Sequence, residues 1–588
     1  MRTTALQYLY LQKPVSTMLL VALLSVLPWI AVGDFSTKGE PREAAVAVSM
    51  LESGNWMLPR VYADEFAYKP PMAHWLMALF SLPRGHVTPF TARLPSALAY
   101  AALLAASLLF FGRKVRFQEA FIATLLLFTC VEIHRAGMTA RVDMLLTFFI
   151  VTGLMRLFWW EDERELKGLP VVIPLLLSGA FLTKGPVGLV LPMFIFGVYL
   201  LLLRKYSLFK IGKSLLYIGV ASLFLPSIWY IEAWRMGGDD FLNVMLAENF
   251  GRFFHLNPGN IHYELGHENG AWYNLVTLAA GFVPWTLLLF FSLFGLKISR
   301  PGVPLKAWLT RLWQRIRTMD HIRLFSLTAS VCIVFFYSLP SSKRSVYLMP
   351  AYPFIALFIA QYFLYLAEYR SRVTRLYAGV LALFVAVVAI VAAFQMTGLI
   401  DIRSLAGQYI SGSSASATLD AVARSFSPGI SMALTGTLLL VSLATVVHQM
   451  RKKINIKILY ATFFLVFCTH LFINGVVMKN VRREGSARPF AEEIRQTYGL
   501  DKTNVYVMNE LHTYYNMYGL NFYLGNCFRN FELERPQTGF FLAVEKDFPT
   551  VTQRYGEAYD FQTLRISDRI ISDVRGRIVL SRFTRKEQ

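Results

Sequence analysis

The stretch from Gly33 to Leu76 reads GDFSTKGEPREAAVAVSMLESGNWMLPRVYADEFAYKPPMAHWL. An apolar run, roughly Thr17 to Val32, precedes it, and the chain turns apolar again from about residue 93. The stretch itself is too polar to cross a bilayer. Asp34, Lys38, Glu40, Arg42, Glu43, Asp64, Glu65 and Lys69 gather in it, punctuated by Pro41, Gly54, Pro70 and Pro71, in a chain only 16% charged. Charge concentrated at one membrane face points to a site rather than a connector.

Working outward, 588 residues with 55% hydrophobic side chains place the chain in the membrane class. Runs of about 17 to 22 apolar residues, long enough to cross the hydrocarbon core, recur near 17–33, 93–111, 119–135, 142–160, 171–183, 186–203 and 213–231. Others lie near 275–296, 324–339, 347–367, 377–397, 428–449 and 458–478. The expectation is a polytopic α-helical protein with about thirteen transmembrane helices. The first run lacks a small-residue cleavage site and is followed by many more, so it reads as a retained span rather than a signal peptide. The shortest run, 171–183, matters most for topology, since removing it would invert every later loop.

The net charge of +21 is carried mostly by short loops, at Arg113–Arg116, Arg204–Lys213, Lys297–Arg323, Arg370–Arg375 and Arg451–Lys457. No single basic face suits nucleic acid, and the positive-inside rule makes these five loops cytoplasmic. The amino terminus is then cytoplasmic and the Gly33–Leu76 loop lies outside. The tail is outside too. Of the four cysteines, Cys130, Cys332 and Cys468 fall in apolar runs and Cys527 stands alone, so neither a disulfide framework nor a CxxC metal site is offered.

Residues 1–479 therefore read as the membrane part and 480–588 as a small soluble α/β domain on the outer, periplasmic side. In the latter, TNVYVM, GFFLAVE and GRIVLSRF read as strands, and ARPFAEEIRQTYG and Glu510–Tyr518 as helices or turns. No catalytic motif occurs there, which leaves packing and substrate contact as its roles.

The outer loops hold the chemistry. Pro41 suits a first helical turn and Gly54 a stop, predicting an interfacial helix over Glu40–Ser53 whose start carries Glu40 and Glu43 on one face with Arg42 beside them. A second helix begins at Pro70 and Pro71, contains His74 and Trp75, and has Lys69 at its start, where an ammonium can reach a phosphate. The plain alternative is a pair of amphipathic helices with solvated charges. His134, Arg135, Arg141 and Asp143 surround the turn in HRAGMTARVDMLLTFF; Asp143 is either a helix-start carboxylate favoured by the dipole or a group facing the same cavity. Lys184 in LTKGPVG either snorkels or joins them. In the loop ENFGRFFHLNPGNIHYELGHENGAWYN, Arg252 is a further cation, while His262 and His267 with nearby glutamates match no helical ligand spacing and are weak metal candidates. Lys343 and Arg344 lie together at an outer helix boundary, against the positive-inside bias, which anion binding explains.

Carboxylates (Glu40, Glu43, Asp143) beside cations (Lys69, Lys184, Arg252, Lys343, Arg344) suggest an acid/base site next to a phosphate clamp. Glycosyl transfer from a lipid-phosphate sugar needs both. One carboxylate would take the acceptor proton, cations would hold the departing phosphate, and membrane helices would hold the polyprenyl tail.

Six motifs in order, GEPREAAVAVSMLESGNWMLP, AYKPPMAHWL, TARVDMLLTFF, LTKGPVGLVLP, ENFGRF with AWYN and VPW, and KRSVYLMPAYP, carry a resemblance. The chain resembles the GT-C integral membrane glycosyltransferases, in the branch of the lipid A aminoarabinose transferases and the protein mannosyltransferase-like (dolichyl-phosphate-mannose-protein mannosyltransferase) enzymes. That resemblance implies an outer-face catalytic cavity under interfacial helices, a polyprenyl-phosphate sugar donor, and a lipid, glycan or protein acceptor. Arg42, Lys69, Arg252 and the Lys343–Arg344 region would bind phosphate, and Asp143 would be the second carboxylate. The sequence departs at two points: Gly39 stands where the family has an aspartate, leaving Glu40, Asp34 and Asp143 as candidates for the base, and Tyr68 replaces a glutamate linked to metal binding in some members. No cofactor is required by this reading, and a divalent metal stays open. The rival is a transporter or flippase of lipid-linked sugars, which would place ionisable groups at mid-membrane on broken helices rather than at span ends.

Overall fold

The computed structural model describes residues 13–586 apart from 59, 62–65, 68, 169, 247–268, 295–303, 341, 411 and 509–516. Arg252, His262 and His267 lie outside the described residues, as do Asp64 and Glu65.

Each apolar run becomes a helix or a bent pair of helices. Eight helices are long and apolar enough to cross a membrane, from Pro89–Gly112 to Asn455–Glu484. Two bent pairs, Phe117–Thr129 with Val131–Gly137 and Tyr273–Gly281 with Trp285–Leu293, bring the number to as many as ten. Three further apolar helices, Pro14–Ile30, Val172–Lys184 and Val187–Leu203, are shorter, and thirteen spans requires all three to cross as well. The protein is a polytopic α-helical membrane protein with a small sheet domain at its end.

Burial follows the solvent. Ser371–Thr397 and Ile430–Lys452 bury few of their side chains and leave Leu383, Phe384 and Leu434 more than half exposed. Such faces are costly in water and neutral against lipid tails. Pro89–Gly112 and Val142–Arg164 are instead mostly buried, at the centre of the bundle. The short Val172–Lys184 helix turns at Gly185 (φ 79°) into Val187–Leu203. The two pack closely because a Cβ at Gly188 would stand 2.3 Å from the Ala180 carbonyl carbon.

The strands expected in the tail form as β1 (Val505–Val507), β3 (Thr538–Val544) and β5 (Ile578–Arg585). Two others join them, β2 (Arg529–Asn530) and β4 (Tyr559–Ile566), in the order β2-β1-β3-β5-β4. β1 pairs in parallel with β2 and β3, while β5 runs antiparallel to both β3 and β4. Phe531, Phe541, Leu580 and Phe583 fill its core together with Ile494 of the Arg488–Tyr498 helix. The last membrane helix continues to Glu484, and the tail's own core begins at Ala487.

The tail closes over the polar stretch that follows the first span. Phe35 donates its backbone N–H to the Tyr523 hydroxyl at 2.8 Å and meets the Phe522 ring edge-on at 5.0 Å. Arg488 pairs with Asp34 at 3.2 Å, and Lys502 with Glu52 at 2.8 Å. Tyr518 is buried in the same small core as Ala44, Val46 and Met50 of the loop helix.

Candidate active site

The loop helix runs Gly39–Ser53 and stops at Gly54, whose φ of 68° ends it in the left-handed conformation glycine tolerates. Its start is inside the protein, with Glu40 and Glu43 both 2% exposed. The second helix, Met72–Ser81, carries His74, which is also buried. These are not solvated charges on an amphipathic surface, so each has to be matched.

Two ion clusters result. In the first, Glu43 accepts from Lys69 and from Arg42 Nη2 (3.2 Å) on Oε1, while its Oε2 faces His74 Nε2 at 2.9 Å. Burial alone would raise the Glu43 carboxyl, yet Lys69, His74 and Arg42 together hold it well below the usual carboxylate range. The same burial brings the Lys69 ammonium down to about 8, against the pull of Glu43. In the second, Asp143 Oδ1 accepts from Lys184 Nζ at 2.5 Å and Oδ2 from Arg141 Nε at 3.3 Å. Lys184 also lies over the Tyr347 ring, 4.2 Å from its centroid. Lys69 bridges the clusters electrostatically, feeling Asp143 and Arg141 as well as Glu43.

Glu40 and Asp34 belong to a different arrangement. Arg93, fully buried in the Pro89–Gly112 helix, forks onto Glu40 from Nε (2.7 Å) and Nη2 (3.3 Å). It also donates to the backbone carbonyls of Ile30 (3.1 Å), Gly33 (3.1 Å) and Asp34 (2.9 Å). The Ala140 N–H completes Glu40 at 3.1 Å. Despite burial, Arg93 keeps the Glu40 carboxyl below its ordinary value. Both Glu40 oxygens are thus spent on holding the first span, the loop and the Ala140 turn together, and the Asp34 carboxylate is engaged by Arg488 of the tail.

Gly39 gives Arg141 its place. A Cβ there would stand 2.4 Å from Arg141 Nη1, so the guanidinium occupies the space that a side chain at 39 would need. Beside Gly39 the chain thus packs a cation held by Asp143. Lys343 and Arg344 lead into the short 3-10 helix Ser345–Ala351 that carries Tyr347, beside Lys184. Lys343 is buried and donates to the Asn269 carbonyl at 3.1 Å, receiving the Asn269 side chain on its own carbonyl at 3.0 Å.

The structure therefore brings Arg42, Lys69, Asp143 and Lys184 together with Glu43, His74 and Arg141, with Lys343 and Arg344 adjoining. Arg93 went unread in the sequence because its partners are more than fifty positions away; an arginine at the head of an apolar run was the available signal. Among the described residues, one group has the spacing of metal ligands, Glu161, Asp162 and His321, at the far end of the bundle. Lys205 and Lys114 already pair with its carboxylates.

Comparison with known proteins bears on the fold. Over 97% of its length the chain superposes on the crystal structure of ArnT from Cupriavidus metallidurans bound to undecaprenyl phosphate, covering 98% of that chain, with a TM-score of 0.68 at 18% identity. The GT-C fold is shared. A model of the dolichyl-phosphate-mannose-protein mannosyltransferase family matches residues 68–230, less than half of the sequence. An undecaprenyl phosphate-alpha-4-amino-4-deoxy-L-arabinose arabinosyl transferase of Proteus mirabilis is 24% identical over 360 residues, 60% of each chain. An uncharacterized protein of Aquifex aeolicus is 29% identical over 326 residues, 54% of this chain and 57% of its own. The alignments span about three-fifths of these curated relatives. The motif resemblance to aminoarabinose transferases is met by these matches.

Proposed function

We propose that the protein is a glycosyltransferase that moves a sugar from a polyprenyl-phosphate donor to a lipid, glycan or protein acceptor at the outer face of a bacterial inner membrane. The observation that carries this reading is the pairing of buried Glu43 with Lys69 in the loop and of buried Asp143 with Lys184 at the ends of membrane helices, in the fold shared with ArnT. The amino terminus is cytoplasmic, residues 1–479 form the membrane catalytic part, and residues 480–588 form a periplasmic domain braced on the loop.

The mechanism follows from the partners. A donor phosphate brings negative charge that competes with Glu43 and Asp143 for Lys69 and Lys184. As these lysines turn to the phosphate, with Arg42, Lys343 and Arg344 as further cations, one oxygen on each carboxylate is released. The acceptor hydroxyl attacks the anomeric carbon and the carbon–oxygen bond to phosphate breaks. Polyprenyl phosphate departs with the bonding pair, and a freed carboxylate takes the hydroxyl proton. We assign that role to Asp143, because its Lys184 partner is one the phosphate can draw away, whereas Glu40 stays held by the fully buried Arg93 and the Ala140 N–H, and Asp34 by Arg488 of the tail. No metal enters this scheme.

The test is to incubate the purified protein with a radiolabelled polyprenyl-phosphate sugar and an extract of envelope lipids and glycoproteins. Polyprenyl phosphate release that depends on acceptor, with label appearing in one acceptor, is expected. Movement of intact donor across proteoliposome membranes without cleavage would establish the transporter reading instead.

A further inference from the structure

The helix Leu305–Arg317, LKAWLTRLWQRIR, takes no part in the site. It precedes the His321–Ser338 span by three residues, Thr318–Asp320, and so is held close to the membrane surface. The start of that span is pinned at the bundle end opposite the site, with Arg323 on Glu119 at 2.8 Å and His321 on Asp162 at 3.5 Å.

Projected at about 100° per residue, Trp308, Leu309, Leu312, Trp313 and Ile316 fill an arc of about 140°. Lys306, Arg311, Arg315 and Arg317 occupy the rest with Ala307, Thr310 and Gln314, and the helix has no acidic residue. Ile316, and Met319 just beyond it, pack against the core of the helix bundle, which holds the carboxy-terminal end of the apolar arc on the bundle. Yet protein covers little of that arc: Trp308, Leu309, Leu312 and Trp313 are 43%, 50%, 41% and 44% exposed. Among the described residues, the ion pairs at this end use Lys114, Lys167, Lys205, His321 and Arg323, and none of the four helix cations.

An uncovered tryptophan and leucine stripe backed by cations suits the boundary between headgroups and acyl chains. We propose that Leu305–Arg317 is an interfacial helix that binds anionic phospholipid at the membrane face opposite the Glu43–Asp143 site. Trp308 and Trp313 enter the acyl boundary, and Arg311, Arg315 and Arg317 take lipid phosphates. Charge complementarity, the anchoring at Ile316 and the short tether to the next span favour the bilayer over a soluble protein as the occupant.

The test uses the full chain in nanodiscs of phosphatidylcholine alone or with phosphatidylglycerol, with a nitroxide on one introduced cysteine at position 309, 311, 312 or 315. The four native cysteines are buried and remain in place. Labels at 309 and 312 are expected to favour oxygen over a water-soluble nickel chelate, and labels at 311 and 315 the reverse. Phosphatidylglycerol is expected to slow label motion severalfold, an effect that Arg311→Glu with Arg315→Glu abolishes for the 309 and 312 labels. Equal nickel access at all four positions would overturn the interfacial placement. Indifference to phosphatidylglycerol, or protection of 309 and 312 only after adding a cytosolic protein fraction, would overturn the lipid assignment. None of these readouts depends on sugar transfer.

Discussion

At one end of the Val142–Arg164 helix, Asp143 is buried between Lys184 and Arg141; at the other, Asp162 takes Lys114 at 2.6 Å with both partners partly in solvent. The two aspartates lie about 28 Å apart at about 1.5 Å per residue, close to the thickness of a hydrocarbon core. Both ends carry carboxylates matched to cations, yet their costs differ. Removing an ion from water costs several kcal/mol even after relaxation, whereas an exposed pair is worth about 0–1 kcal/mol and needs no further reason to exist. The Asp143 and Glu43 carboxylates have been taken almost wholly out of water while their cations keep an edge in solvent, and what such a cluster offers in return is a preorganised field for a charged substrate. The Asp162 pair is accounted for by anchoring of a helix end at the surface, although Glu161 and Glu119 beside it are buried and paired with Lys205 and Arg323.

The sharpest attempt to break this contrast is Lys69→Ala. Loss of the cation that bridges the two clusters should lower sugar transfer by about a hundredfold or more in the donor-release assay. The wild-type rate should also fall as pH rises through about 8, where the Lys69 ammonium loses its proton, while Lys69→Arg should resist that decline. Stability should move the other way. Between about 8 and the ordinary lysine value the unfolded chain binds more protons than the folded one, so linkage raises stability with pH across that window.

Arg93→Ala comes next. It strands Glu40 and frees three backbone carbonyls in a dry interior, and should cost about 3–5 kcal/mol in detergent unfolding. Gly39→Ala separates packing from electrostatics. Its Cβ meets only the far end of Arg141, so stability should change by less than about 1 kcal/mol. Transfer should nevertheless fall about tenfold as the guanidinium leaves Asp143. At the far end of the helix, Lys114→Ala should shift stability by no more than about 1 kcal/mol and leave transfer unchanged. A large effect there would erase the distinction between the two ends.

Much of this was legible in the sequence. The apolar runs met helices, two of them as bent pairs, because crossing hydrocarbon demands a stretch that satisfies its own backbone hydrogen bonds. The loop helix stopped at Gly54 as that residue's backbone freedom allows, and began at Gly39, with Pro41 in its first turn. The tail was read through its stronger strands, while β4 escaped: its sequence, YDFQTLRI, mixes charge and apolar residues and pairs only with β5, at the sheet edge. Asp34, Glu40 and Asp143 were equal candidates because nothing local distinguishes three carboxylates near span ends.

The sequence alone determined that charge would collect at one end of a membrane bundle, and of which kinds. Hydropathy and turn chemistry act over a few residues and can be read there. Which charge meets which was settled only by the fold. Glu40 finds Arg93 across 53 positions, Glu43 finds His74 across 31, and Asp143 finds Lys184 across 41. The small size of Gly39 is likewise consequential only because the chain brings Arg141 against it. Coulomb energy and desolvation depend on distance and burial in space, and a sequence records neither until its helices have packed.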